Sequence, residues 1–158
     1  MGQTTGEIAK RVLDAWHAGE TVKCFLLRGN TTDWQTAATL RGMSTMDEIN
    51  DDEADGEANY DRVTVSFQAA TVNEQEDDRG ELDIDDVVFS ELGDENSDPI
   101  DGVGFMKEHD EADDSQNPIV GAIDVTGEAT EDRTPNGNDF IVESGDSGLM
   151  HMIVAAAS

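Results

Sequence analysis

The sequence predicts a mainly β protein: an antiparallel β sandwich or barrel of about seven short strands with one N-terminal amphipathic helix. Three observations predict it. Apolar residues recur with period two in short runs after residue 20, turn dipeptides separate those runs, and only the first twenty residues show a helical period. At 158 residues the chain is expected to hold an N-terminal helical docking segment, 1–19, followed by a single acidic β domain, 20–158.

The helix comes first. Thr4-Thr5-Gly6-Glu7 places a Thr three residues before a Glu, the spacing at which each side chain satisfies a free amide at a helix start. Ile8, Val12 and Trp16 follow at intervals of four with Leu13 beside them, and Gly19 supplies a stop after about 13 residues. An apolar stripe of this kind docks most often on the protein's own core and less often on a partner.

Strands follow. Thr21 to Arg28 reads as the first. Val63, Val65 and Phe67 alternate with Thr64 and Ser66, and Leu82 and Ile84 alternate with acids before Val87-Val88-Phe89. Ile100 to Met106, Ile119 to Val125, Asp139 to Val142 and Gly148 to Ala155 complete the series. Turn chemistry separates them at Asp55-Gly56, Arg79-Gly80, Gly93-Asp94, Gly127-Glu128 and Pro135-Asn136-Gly137. Three acidic connections, Asp47 to Asn59, Asn73 to Arg79, and Glu108 to Asn117, read as solvated loops.

Charge narrows the function classes. Nine Lys and Arg against 37 Asp and Glu give −28, a field that repels phosphate and anionic head groups and argues against nucleic acid or membrane as partner. Leu, Ile, Val and Phe number 32 of 158, at the boundary where a highly charged chain reads either as disordered or as a fold adapted to molar salt. Acids interspersed with short apolar runs favour the fold. The charge is also uneven. Residues 1–44 hold five basic and four acidic residues, a net of +1, leaving −29 for residues 45–158. A nearly neutral end on a very acidic body marks either a surface that another surface covers or a more deeply buried segment.

No constellation points to catalysis, and a non-enzymatic protein is expected. Cys24, the single cysteine, lies in the apolar run Val22 to Leu27 and reads as a buried, inert thiol. Asp51, Glu53, Asp55 and Gly56 match positions 1, 3, 5 and 6 of a calcium-binding loop, but position 12 is Arg62 where a bidentate Glu is required. Diffuse binding of monovalent or divalent cations is the most that is expected, with no cofactor and no dedicated metal site. Gly145-Asp146-Ser147-Gly148 resembles the surroundings of a protease nucleophile; His17, His109 and His151 are poorly placed to serve it, and a β turn is expected. Asn30-Thr31-Thr32 is a glycosylation triplet without an export signal at Met1 to Thr5 to support its use.

The ordered series of segments is more specific than its parts. A strand Val22 to Arg28 precedes a polar Trp/Thr stretch, Thr32 to Leu40, and the acidic loop Met46-Asp47-Glu48-Ile49. Asn59-Tyr60-Asp61-Arg62-Val63-Thr64-Val65 and Leu82-Asp83-Ile84-Asp85-Asp86-Val87-Val88-Phe89 come next. Gly102-Val103-Gly104-Phe105-Met106-Lys107, Asn117 to Asp124 and Gly137-Asn138-Asp139-Phe140-Ile141-Val142 close it. Over roughly residues 20–154 this resembles the small β-rich head-decoration and minor structural proteins of tailed viruses.

The resemblance implies a virion protein of a tailed virus of a halophilic archaeon. It would be a capsid-surface decoration or turret subunit that forms homo-oligomers and sits on the major capsid protein. Ile8, Val12 and Trp16 are the expected docking residues, with Lys10 and Arg11 able to meet acidic partner groups. The alternatives are a tail or baseplate component and a cellular halophilic, cation-dependent binding module. The N-terminal helix and the long acidic loops depart from the family's pattern.

Overall fold

A computed structural model describes residues 5–29, 31–74, 79–143 and 150–152. The chain is mainly β, its sheets are antiparallel, and a helix stands at its N-terminus. The elements are α1 (Thr5–His17), β1 (Val22–Leu27), α2 (Ala37–Gly42), β2 (Val63–Thr64), β3 (Thr71–Asn73), β4 (Arg79–Leu82), β5 (Val87–Phe89), β6 (Gly102–Lys107), β7 (Ile119–Asp124), β8 (Phe140–Val142) and β9 (Met150–Met152). Among the described residues the strands form three sheets, ordered β2-β1-β6-β7, β3-β4-β9 and β5-β8.

Most expected strands are present, in shorter form. Val63 to Phe67 yields only the two-residue β2, with Phe67 making an isolated bridge to Ile84. The proposed strand Gly148 to Ala155 appears as β9, and its remaining residues lie outside the described ones, as do Thr4, Asn30 and Gly145 to Gly148. Two elements carry no period-two signal. One is β3, whose Val72 is its only large apolar residue. The other is α2, six residues whose start is capped by the Thr36 hydroxyl accepting from Thr39 N–H.

The described residues fall into two compact units. One comprises the described parts of Met1–Glu20, Val65–Asp86 and Glu143–Ser158. In it α1 lies on the β3-β4-β9 sheet, with a core of Leu13, Ala70 and Leu82 and with Trp16 and Phe67 packed against it. The approach is close because β4 carries Gly80: a Cβ there would sit 2.6 Å from the Lys10 backbone nitrogen and 2.8 Å from the Ala9 carbonyl carbon. Asp14 fastens the helix, accepting from Ala70 N–H at 2.8 Å. Gly19, at φ +74°, ends the helix as expected, with Glu20 N–H reaching His17 C=O.

The other unit comprises Thr21–Thr64 and Val87–Val142. Here β1 pairs with β6 along its whole length, Val22 opposite Lys107 and Leu27 opposite Gly102. Phe25, Leu27, Trp34, Met46, Ile49 and Met106 form the core and are almost fully buried. Both β6 glycines lie against aromatic rings. A Cβ on Gly104 would fall 2.2 Å from the ring of Phe25, its cross-strand partner, and one on Gly102 would fall 2.3 Å from the ring of Trp34. Full burial of side chains of this size stabilises by about 1.5–3 kcal/mol each.

Candidate functional site

The residues singled out for docking sit on α1, and the structure divides them between two faces. Ala9 and Leu13 point into the unit's own core, while Ile8 and Val12, one turn apart, are 41 % and 44 % exposed. Trp16 is half-buried and meets Phe67 edge to face at 5.9 Å. Lys10 is half-buried and paired with Asp14 at 2.7 Å, and Arg11 is exposed. The Lys10 ammonium, together with the Ala70 N–H, holds the Asp14 carboxyl below its ordinary range. The helix thus inserts Ala9 and Leu13 below Ile8 and Val12, and leaves an apolar pair facing outward between charged neighbours.

A bowl of about 620 Å³ opens in the other unit, lined by residues of the acidic loops together with Lys23, Tyr60 and Arg62. Its centre is an arginine fork. Arg62 donates through Nε and Nη2 to Glu53 at 2.8 and 2.6 Å, and through Nη1 and Nη2 to Asp114 at 2.7 and 2.9 Å. Tyr60 Oη donates to Glu53 Oε1 at 2.5 Å and accepts from Leu26 N–H at 3.2 Å, so β1 is tied to the same carboxylate. Asn50 Nδ2 donates to Asp114, and Asn117, fully buried, accepts from the His109 and Asp110 amides to shape the loop that presents Asp114. Lys23 closes the rim with Glu108 at 2.8 Å.

Electrostatics follow from this geometry. Hydrogen bonds from Arg62 hold the Asp114 carboxyl down to about 2. Those to Glu53 and Asp114 raise Arg62 further above its ordinary value, and burial beside Glu53 raises the Tyr60 phenol. Arg62 therefore spends its charge on two carboxylates. Among the described residues, no group of three or more His, Cys, Asp or Glu side chains is arranged to hold a metal ion. Asp51, Glu53 and Asp55 do not converge: Asp51 and Asp55 are exposed, and Glu53 turns inward to Arg62.

A second buried carboxylate is structural in the same sense. Asp52, 2 % exposed, accepts from the amides and hydroxyls of both Thr31 and Thr32 at 2.6–3.1 Å, so these two threonines of the glycosylation triplet serve a loop clamp. Burial raises the Cys24 thiol far above its ordinary value. His109 is exposed, and His151 occupies β9 opposite Glu81. Ser147 lies outside the described residues.

Sequence reasoning found Arg62 as a misfit and missed its partner. Asp114 lies 52 positions away in an acidic loop, and nothing distinguishes it from its neighbours Asp110, Glu111 and Asp113. Among the described residues no helix is long and apolar enough to cross a membrane. Compared with protein-family models, curated proteins and solved structures, the chain has no match.

Proposed function

We propose that this protein is a non-enzymatic structural subunit of a virus particle, a capsid-surface decoration or turret protein of a haloarchaeal tailed virus, seated on the major capsid protein through α1. The observation that carries the reading is the exposed pair Ile8 and Val12 on a helix whose other face, Ala9 and Leu13, is already buried in its own unit. Exposed apolar side chains side by side on a fastened helix suit a partner groove that takes them at i and i+4. The sequence's charge distribution, +1 over residues 1–44 and −29 over the remainder, supports the same reading. The antiparallel pairing throughout supports the architectural part of the reading, a β sandwich. Many copies around a capsid, and contacts between them, would be compatible only at high salt, where charges of this density are screened over about 3 Å.

The test is binding of the purified protein to capsids of such a virus in molar potassium chloride, comparing wild type with the double variant Ile8→Glu, Val12→Glu. Both positions are solvent-exposed, so the unfolding midpoint should stay near wild type while binding is lost. Capsid binding by the double variant at wild-type affinity would exclude α1 as the docking element. Antibody labelling of intact particles should decorate heads; labelling confined to tails would replace the decoration reading with the tail or baseplate one.

A further inference from the structure

A second surface, on the other unit, has the makings of a peptide site. A groove of about 280 Å³ runs between α2 and β7, lined by Leu40, Arg41, Met43, Ile119, Val120 and Gly121. That volume is below the roughly 300–1,000 Å³ of small-molecule pockets and suits one or two side chains. One wall is a sheet edge, because β7 is the outermost strand in the order β2-β1-β6-β7. The edge is little protected: Val120 and Ile123 are 36 % and 54 % exposed, and the strand carries no charge until Asp124 at its end.

Two features say what fits there. The first is charge. Lys10, Lys23, Arg28, Arg62, Arg79 and Arg133 each pair with a carboxylate, whereas the Arg41 guanidinium makes no hydrogen bond or ion pair among the described residues. In a chain with about four acids to each base, an unspent arginine at the mouth of an apolar groove calls for an incoming carboxylate. The second is a stop. At its first residue β7 is already paired on the outer side, Ile119 N–H donating to Ser44 C=O at 3.0 Å and Pro118 bridging to Thr45. A strand laid along Gly121 to Ile123 therefore runs into Ser44 and must end beside Arg41.

We propose that this groove receives the C-terminal end of a partner chain as an added strand antiparallel to β7, its last apolar side chain in the groove and its terminal carboxylate on Arg41. Main-chain hydrogen bonds along the edge supply affinity, and the groove and the arginine supply selection for a chain end. The site is separate from α1 and does not depend on the capsid reading.

Fluorescein-labelled hexapeptides of alternating valine and threonine, ending in leucine or phenylalanine with a free carboxylate, serve as probes by fluorescence anisotropy in molar potassium chloride. Saturable binding is expected, weakened about tenfold or more by amidating the terminus or by Arg41→Glu. Gly121→Val should abolish it with an unchanged unfolding midpoint, because a Cβ at Gly121 meets nothing within 4 Å of its own fold. Absence of saturable binding, equal binding of an amidated peptide with or without an internal aspartate, or full binding by Gly121→Val would each overturn the proposal. Self-association in sedimentation that Gly121→Val removes would assign the groove to a second copy and overturn it as well.

Discussion

At the scale of single residues, Arg62 governs the acidic loops. Arg62→Ala would leave Glu53, whose side chain is 4 % exposed, and Asp114 facing each other without a counter-charge. Breaking such a pair costs about 3 kcal/mol, so the urea midpoint in molar potassium chloride should fall accordingly. Arg62→Lys keeps the charge, loses the two-pronged geometry and should recover less than half of that loss. Equal stability of Arg62→Ala and wild type would mean that the fork contributes nothing. The same pair sets an acid limb. Asp114 is held down from its ordinary 3.8 to about 2, chiefly by the hydrogen bonds of Arg62. A carboxyl whose folded value lies below its unfolded one stabilises above the unfolded value, and loses that contribution as pH falls through the folded value. The contribution of Asp114 is therefore complete above about pH 4 and lost between about pH 4 and pH 2. Asp114→Asn should flatten unfolding free energy against pH in that window; an unchanged slope would assign the acid limb to other carboxylates.

At the scale of elements, contact between neighbours depends on glycines that the hydrophobic pattern does not register. In β4, Gly80→Ala pushes a methyl into the α1 backbone, which, unlike a side-chain tip, cannot swing aside; an overpacking cost of about 1–3 kcal/mol is expected. Amide hydrogen exchange should show the loss across Ala9 to Leu13, and unchanged protection there would contradict the close packing of α1 on β4. In β6, Gly104→Ala meets the ring of Phe25, which is fully buried and has nowhere to turn. The helix itself was legible in its length, its stop at Gly19 and its apolar content. Its working face was not, because Ile8, Val12 and Trp16 and the set Ala9, Leu13 and Trp16 both satisfy helical spacing, and the choice between them rests on where Gly80 lets the backbone approach. A six-residue helix such as α2 is too short to show a period, and β3 too short to show an alternation.

At the scale of the whole molecule, −28 on 158 residues predicts a fold whose stability depends on salt. Diluting salt from molar to about 0.01 M lengthens the screening distance from about 3 to about 30 Å, so carboxylates that ignore one another in brine repel across the protein. Loss of structure on dilution is expected, with tryptophan emission shifting to the red as Trp34, 1 % exposed, meets water. Emission and circular dichroism that stay constant down to 10 mM salt, on the order of the lowest screening considered, would contradict it. By itself the sequence determined the mainly β class, the N-terminal helix and the burial of Cys24. These rest on composition and short-range periodicity, which every residue carries locally. Only the tertiary structure decided that Arg62 holds Glu53 and Asp114, that Ile8 and Val12 are left outside, and that Arg41 has no charged partner among the described residues. Partners 9 to 52 positions apart, and the gap a missing Cβ leaves, exist only once the chain has been brought together.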